Sequence, residues 1–215
     1  SDEAVQHYNA GVALQEKGHL DAAMEQYSEA IRLDPKFGDA YLRLGSTHKE
    51  MSMYGEAIHA YSEAIRLGSR SASVYNNRGV AYLNQDRAQK AIEDFNEAIR
   101  LDPKLANAYY DRGYAYYYLA YQGKPRSEKA MADFDQVIRL DPNRAEAYLV
   151  RADAYSHLEQ WQKVIDNLNE AIRLNPGVAA HHVNRGEAYL ELGQHQQAVA
   201  DLSEAIRLNP QFIHA

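Results

Sequence analysis

The sequence predicts an all-α solenoid of six tandem helix–turn–helix repeats, and three observations carry that prediction. First, a near-identical phrase recurs: Ile31-Arg32-Leu33-Asp34-Pro35, Leu101-Asp102-Pro103, Leu140-Asp141-Pro142, Leu174-Asn175-Pro176 and Leu208-Asn209-Pro210, with a proline-less copy at Ile65-Arg66-Leu67-Gly68-Ser69. Second, successive copies lie 34 residues apart, except for a step of 39 from Ile99 to Ile138. Third, apolar and small residues recur twice per period at the i, i+4, i+7 spacing of one helix face. A fixed period of this length signals stacked supersecondary units rather than one closed core.

In order, the repeats occupy about 4–37, 38–71, 72–105, 106–144, 145–178 and 179–212 of a single array over 1–215. The first two carry a glycine in the first helix and an alanine in the second, Gly11 with Ala23 and Gly45 with Ala57. The third is the plainest, with Tyr75, Gly79 and Tyr82 on a first helix and Ala91, Phe95 and Ala98 on a second. Small residues let two antiparallel helices approach closely, and the aromatics fill the space beside them. Proline closes each unit because it cannot continue the second helix. The fourth repeat has Gly113 and Ala130 and a five-residue insertion near 119–128, around Gln122-Gly123-Lys124-Pro125-Arg126-Ser127. That predicts a longer first helix followed by a Gly/Pro-marked loop. The fifth is the loosest copy, with Ala152, Val164 and Leu168 at signature columns, and the sixth returns to Gly186 and Ala198.

Composition narrows the chemistry. A chain that is 46% hydrophobic is not disordered. No apolar run approaches the ~18–20 residues of a membrane helix, and no signal-like segment opens the chain, which favours a cytoplasmic place without membrane insertion. The absence of cysteine excludes disulfides, thiolate metal sites and cysteine nucleophiles. A net charge of -7 disfavours nucleic acid, whose binding depends on neutralising phosphates. No phosphate loop, dinucleotide fingerprint, Gly-x-Ser-x-Gly or His-Glu-x-x-His is present, so no cofactor, metal site or catalytic residue is expected. The pairs Glu29–Arg32, Glu63–Arg66, Glu97–Arg100, Glu170–Arg173 and Glu204–Arg207 read as i, i+3 pairs on an outer helix face.

The columns resemble the tetratricopeptide repeat, a helix–turn–helix unit of the same period, over residues 4 to 210. They comprise Gly11, Gly45, Gly79, Gly113, Ala152 and Gly186, then Ala23, Ala57, Ala91, Ala130, Val164 and Ala198. The lead-aromatic column is His7, Tyr41, Tyr75, Tyr109, Tyr148 and His182. The position before the glycine, often leucine in the family, reads Ala10, Leu44, Arg78, Arg112, Arg151 and Arg185. Arginine there is expected to lay its stem along the helix interface and send its head outward.

The resemblance implies a right-handed superhelix whose first helices line a concave, partner-binding face, and hence a non-catalytic scaffold for a protein or peptide segment. The column two before the glycine, with Asn9, Arg43, Asn77, Asp111, Val150 and Asn184, is similar to the asparagine ladder of some members, kept at three of six positions. An amide can satisfy one peptide unit as both donor and acceptor. The carboxylate clamp for chaperone C-termini is not matched, since its positions read Tyr8, Val12, Arg43, Ser73 and Asn77. Groove columns carry Glu16, Asp39, Glu50, Asp111, Glu146, Asp153, Glu187 and Glu191 against Arg43 and Lys49, which points to a basic partner segment. In the fourth repeat, Tyr110, Tyr114, Tyr117 and Tyr121 form a stripe, with Tyr118 beside it. Tyrosine gives contact area at low conformational-entropy cost.

The rival reading is an assembly element that oligomerises or stacks through uncapped terminal repeats. A further one is the recruiting arm of a larger protein. The chain opens on Ser1 rather than methionine, which favours an excised piece.

Overall fold

The computed structural model describes residues 1–121 and 127–211. These contain twelve helices and no strand: α1 (Asp2–Glu16), α2 (Leu20–Leu33), α3 (Gly38–Glu50), α4 (Tyr54–Arg66), α5 (Ala72–Leu83), α6 (Ala88–Leu101), α7 (Ala106–Tyr121), α8 (Ser127–Leu140), α9 (Ala145–Ser156), α10 (Trp161–Leu174), α11 (Ala179–Glu191) and α12 (His195–Leu208). The chain forms two compact units, Ser1–Ala115 and Tyr116–Ala215, divided within α7. In the first, α1 packs on α2, α3 on α4 and α5 on α6, while α1 also touches α3, and α3 touches α5. In the second, α9 packs on α10 and α11 on α12, with α8 against α9 and α10 against α11. The expected long first helix of the fourth repeat is the 16-residue α7. The loop expected at Gln122–Arg126 lies outside the described residues.

The recurring Asp/Asn-Pro phrase has a local cause. Asp34 and Asp102 leave the helix in extended conformation, and their side chains accept the backbone N–H two residues on, from Lys36 at 3.0 Å and Lys104 at 2.9 Å. Asp141 and Asn209 do the same for Asn143 and Gln211. This local turn caps the helix while proline blocks its continuation. Within repeats the first helix ends on a left-handed residue, Gly18 at φ 77°, Ser52 at 60°, Asp86 at 57°, Glu159 at 54° and Gly193 at 69°.

The glycine column is explained by close approach. A Cβ on Gly79 would lie 2.5 Å from the Phe95 ring, and on Gly11 2.6 Å from the Tyr27 ring. Those rings are fully buried, and burial pushes the hydroxyls of Tyr27 and Tyr61 up to about 12. In the fifth repeat Ala152, which has a Cβ, and Leu168, which has no ring, stand in these columns and share one buried cluster.

The arginine column corrects the expectation that its heads point outward. Arg78 grips Asp94 with two hydrogen bonds of 2.8 Å and donates to Ser62 at 3.0 Å. Arg185 grips Asp201 at 2.7 and 2.6 Å and donates to Asn169 at 2.7 Å. Arg151 spans Asn167 and Asp135, and Arg112 reaches Asn96. The partners stand sixteen residues after and sixteen before the arginine, so one fork ties its own second helix to that of the preceding repeat. Planar, multidentate geometry suits guanidinium to this task. Burial pushes the Asp201 carboxyl up, but Arg185 and His182 overcome it and hold the group below its ordinary value. Repeat two has Leu44 and a buried Ala60 in these columns, and a surface depression opens there beside Tyr41 and His48.

Candidate partner-binding surface

Framework columns turn inward, so the surface available to a partner consists of the remaining first-helix positions. In the first unit Asn9 and Arg43 are exposed, while Asn77 and Asp111 are half-buried. Asn77 Oδ1 accepts from Lys49 Nζ at 2.7 Å, and Asp111 accepts from Asn76 Nδ2 at 2.9 Å. Gln15 Nε2 likewise donates to Glu50 at 2.9 Å. The position four after the glycine thus reaches across to the next first helix in both Gln15 and Lys49, and the Asn77 carbonyl is already in use.

The tyrosine stripe is divided by its surroundings. Tyr114 is 44% exposed, whereas Tyr110, Tyr117 and Tyr118 are half-buried. Tyr117 donates its hydroxyl to Asp153, lies 3.0 Å from His157 Nε2, and tilts its ring against that imidazole. Its polar tip is committed within the chain. The side chain of Tyr121 lies outside the described residues.

In the second unit the structure brings three sequence-predicted residues together. Asp153 on α9 and Asn184 and Glu187 on α11 are exposed and line one pocket of about 170 Å³. Its other walls are Leu149, Ser156, Trp161 and the buried Ala152, Val164, Leu168 and Ala188. Among the described residues neither Asn184 nor Glu187 has a hydrogen-bond or ion-pair partner for its side chain. Leu149, Ser156 and Trp161 were not singled out by sequence. The signals for them were the lone tryptophan of the chain and its place beside the Ala152/Leu168 exchange.

No described group of three or more histidine, aspartate or glutamate side chains is arranged to hold a metal ion. His182 packs where its column predicts, 3.1 Å from Asp201, and no described helix is long and apolar enough to cross a membrane.

These features define a class: an all-helical repeat protein with a conserved-pattern framework and a variable first-helix face. Family models for the tetratricopeptide repeat match 11–52, 53–86, 38–67, 72–105 and 179–212, together more than half of the chain. The chain belongs to the tetratricopeptide-repeat family. Solved structures share the fold. YrrB, described as a tetratricopeptide-repeat protein with an unusual peptide-binding site, is 24% identical with a TM-score of 0.68, covering 80% of this chain and 87% of its own. PilW, a type IV pilus biogenesis factor, is 17% identical with a TM-score of 0.80, covering 100% and 96%. PilF of Pseudomonas aeruginosa is 19% identical with a TM-score of 0.78, covering 97% and 93%. No curated protein matches the chain in sequence.

Proposed function

We propose that this chain is a non-catalytic scaffold, a single array of six repeats, that binds a partner segment along its first-helix face and prefers a basic one. One observation carries the reading. The position directly after the glycine column holds Tyr114, Asp153 and Glu187 in the last three repeats, and all three are exposed. The matching Val12, Ser46 and Val80 of the first three are half-buried. An aromatic contact and exposed carboxylates at a repeated surface position suit recognition of a cationic, extended chain. The proposed contact set is Asn9, Arg43, Asn77, Tyr110, Asp111, Tyr114, Tyr117, Tyr118, Asp153, Asn184 and Glu187. The peptide-binding site ascribed to YrrB supports this reading by analogy of fold. The test is a titration of a partner captured by the wild type against the Tyr114→Ala/Tyr117→Ala variant. The dissociation constant rises about tenfold or more while the helical spectrum is kept; equal affinity refutes the site.

A second reading rests on α12. Val199 is 64% exposed, although its counterparts Ile92 and Ile165 are buried at 3% and 2%. Ile206 on the same helix is also exposed. An apolar seam left open in this way suits end-to-end packing. Sedimentation across a concentration series then shows association that Val199→Lys abolishes; a wild type that stays at 24.4 kDa rules it out.

A further inference from the structure

The pocket of the second unit lies beside a local exchange. In repeats one to three an aromatic ring, Tyr27, Tyr61 or Phe95, fills the space beside the first-helix glycine. In the fifth, Leu168 and Ala152 stand there, and a leucine is shorter than the ring it replaces. The pocket lies beside Trp161 and between α9, α10 and α11. Its floor is apolar and buried, formed by Ala152, Val164, Leu168 and Ala188. Its rim is polar and exposed, with Asp153, Asn184 and Glu187.

Size and charge decide what fits. At about 170 Å³ the pocket is smaller than the ~300–1,000 Å³ of sites that enclose a drug-sized ligand, so it is sized for one side chain. A charged head at the floor would be desolvated without a partner, which excludes lysine or arginine as the inserted group. The rim has the opposite preference. Among the described residues Glu187 has no ion-pair partner and Asp153 accepts from the Tyr117 hydroxyl, so positive charge is favoured at the mouth. Asn184 adds an amide able to pair with a peptide unit.

We propose that this pocket anchors a single leucine- or methionine-like side chain of an extended partner segment whose adjacent residues are lysine or arginine. The inference rests on the scaffold reading and narrows it to a motif, an apolar anchor flanked by basic residues.

Trp161 supplies the readout, because it is the sole tryptophan and lines the pocket. The probe is an acetylated, amidated pentapeptide of alternating lysine and leucine, titrated unlabelled for Trp161 emission and fluorophore-labelled for anisotropy. Both readouts are expected to saturate at one dissociation constant. Exchanging the peptide's leucines for alanine weakens binding about tenfold. Glu187→Gln, at an exposed side chain with no partner among the described residues, weakens it about threefold to tenfold and flattens its salt dependence. Equal affinity for the leucine and alanine peptides, or an unchanged Glu187→Gln, overturns the inference. Anisotropy that saturates while Trp161 stays silent also overturns it, but leaves the scaffold reading standing because the peptide then binds elsewhere on the chain. No response in either readout overturns the pocket, and the Tyr114→Ala/Tyr117→Ala titration judges the scaffold separately.

Discussion

Gly79→Ala combined with Phe95→Leu tests whether the fifth repeat is a compensated design. A Cβ at residue 79 would stand 2.5 Å from Phe95 Cε1 and 2.8 Å from Cδ1, roughly an ångström inside ordinary contact. Phe95 is fully buried and has little space into which to retreat. Overpacking of this kind costs about 1–3 kcal/mol. Alanine returns about 0.8–1 kcal/mol of helix propensity, so Gly79→Ala alone is expected to destabilise by about 0–2 kcal/mol. Phe95→Leu alone removes part of a buried ring; full truncation to alanine costs about 3–5 kcal/mol, which leaves about 1–2 for leucine. Independent effects would then sum to about 1–4 kcal/mol. If the Ala152/Leu168 arrangement is transferable, the new methyl fills the space the ring leaves. The double variant is then no less stable than Phe95→Leu, with a coupling of up to about 2 kcal/mol. Urea melts followed by far-ultraviolet circular dichroism on the four proteins supply the cycle. Additivity within about 0.5 kcal/mol would show that the two columns act independently, and the reasoning would fail.

The arginine fork and the buried histidines give further expectations. Arg185→Met takes the guanidinium from the Asp201 carboxylate, which is 5% exposed and keeps His182 at 3.1 Å, and should cost about 2–4 kcal/mol. Arg207→Met breaks only a surface pair whose arginine is 68% exposed, and should stay within about 0.5 kcal/mol in the same urea melts. Burial, helped by the neighbouring His182, lowers the pKa of His181, and burial lowers that of His48. Among the described residues, both leave a buried Nδ1 without a hydrogen-bond partner. With the folded pKa below the unfolded one, the unfolded chain binds more protons, so stability falls as pH drops from about 6.5. Asp201 has a depressed carboxylate pKa, so its contribution is lost only as pH falls below about 4. The melting temperature therefore declines between pH 7 and pH 5, and His181→Val makes that decline shallower; an unchanged slope would assign it to other groups.

Much of this molecule was readable because repetition amplifies local signals. The 34-residue period, the helix pairs, the glycine and alanine columns and the five outer Glu–Arg pairs all follow from spacings within a few turns of one helix, and all are present. Local spacing also placed Asp153, Asn184 and Glu187 on first helices. It could not show that they share one pocket, because convergence depends on how α9, α10 and α11 pack. Nor could it direct the Arg185 head, whose partners Asn169 and Asp201 lie on two different second helices. The Tyr117 hydroxyl is a similar case, since its acceptor lies 36 residues away. The same physics explains the fifth repeat. Sequence by itself registered two departures from a column pattern, at residues 152 and 168. Only the tertiary structure showed that a methyl gained on one helix meets a ring lost from its neighbour, because a buried side chain is judged by the volume its partners leave it.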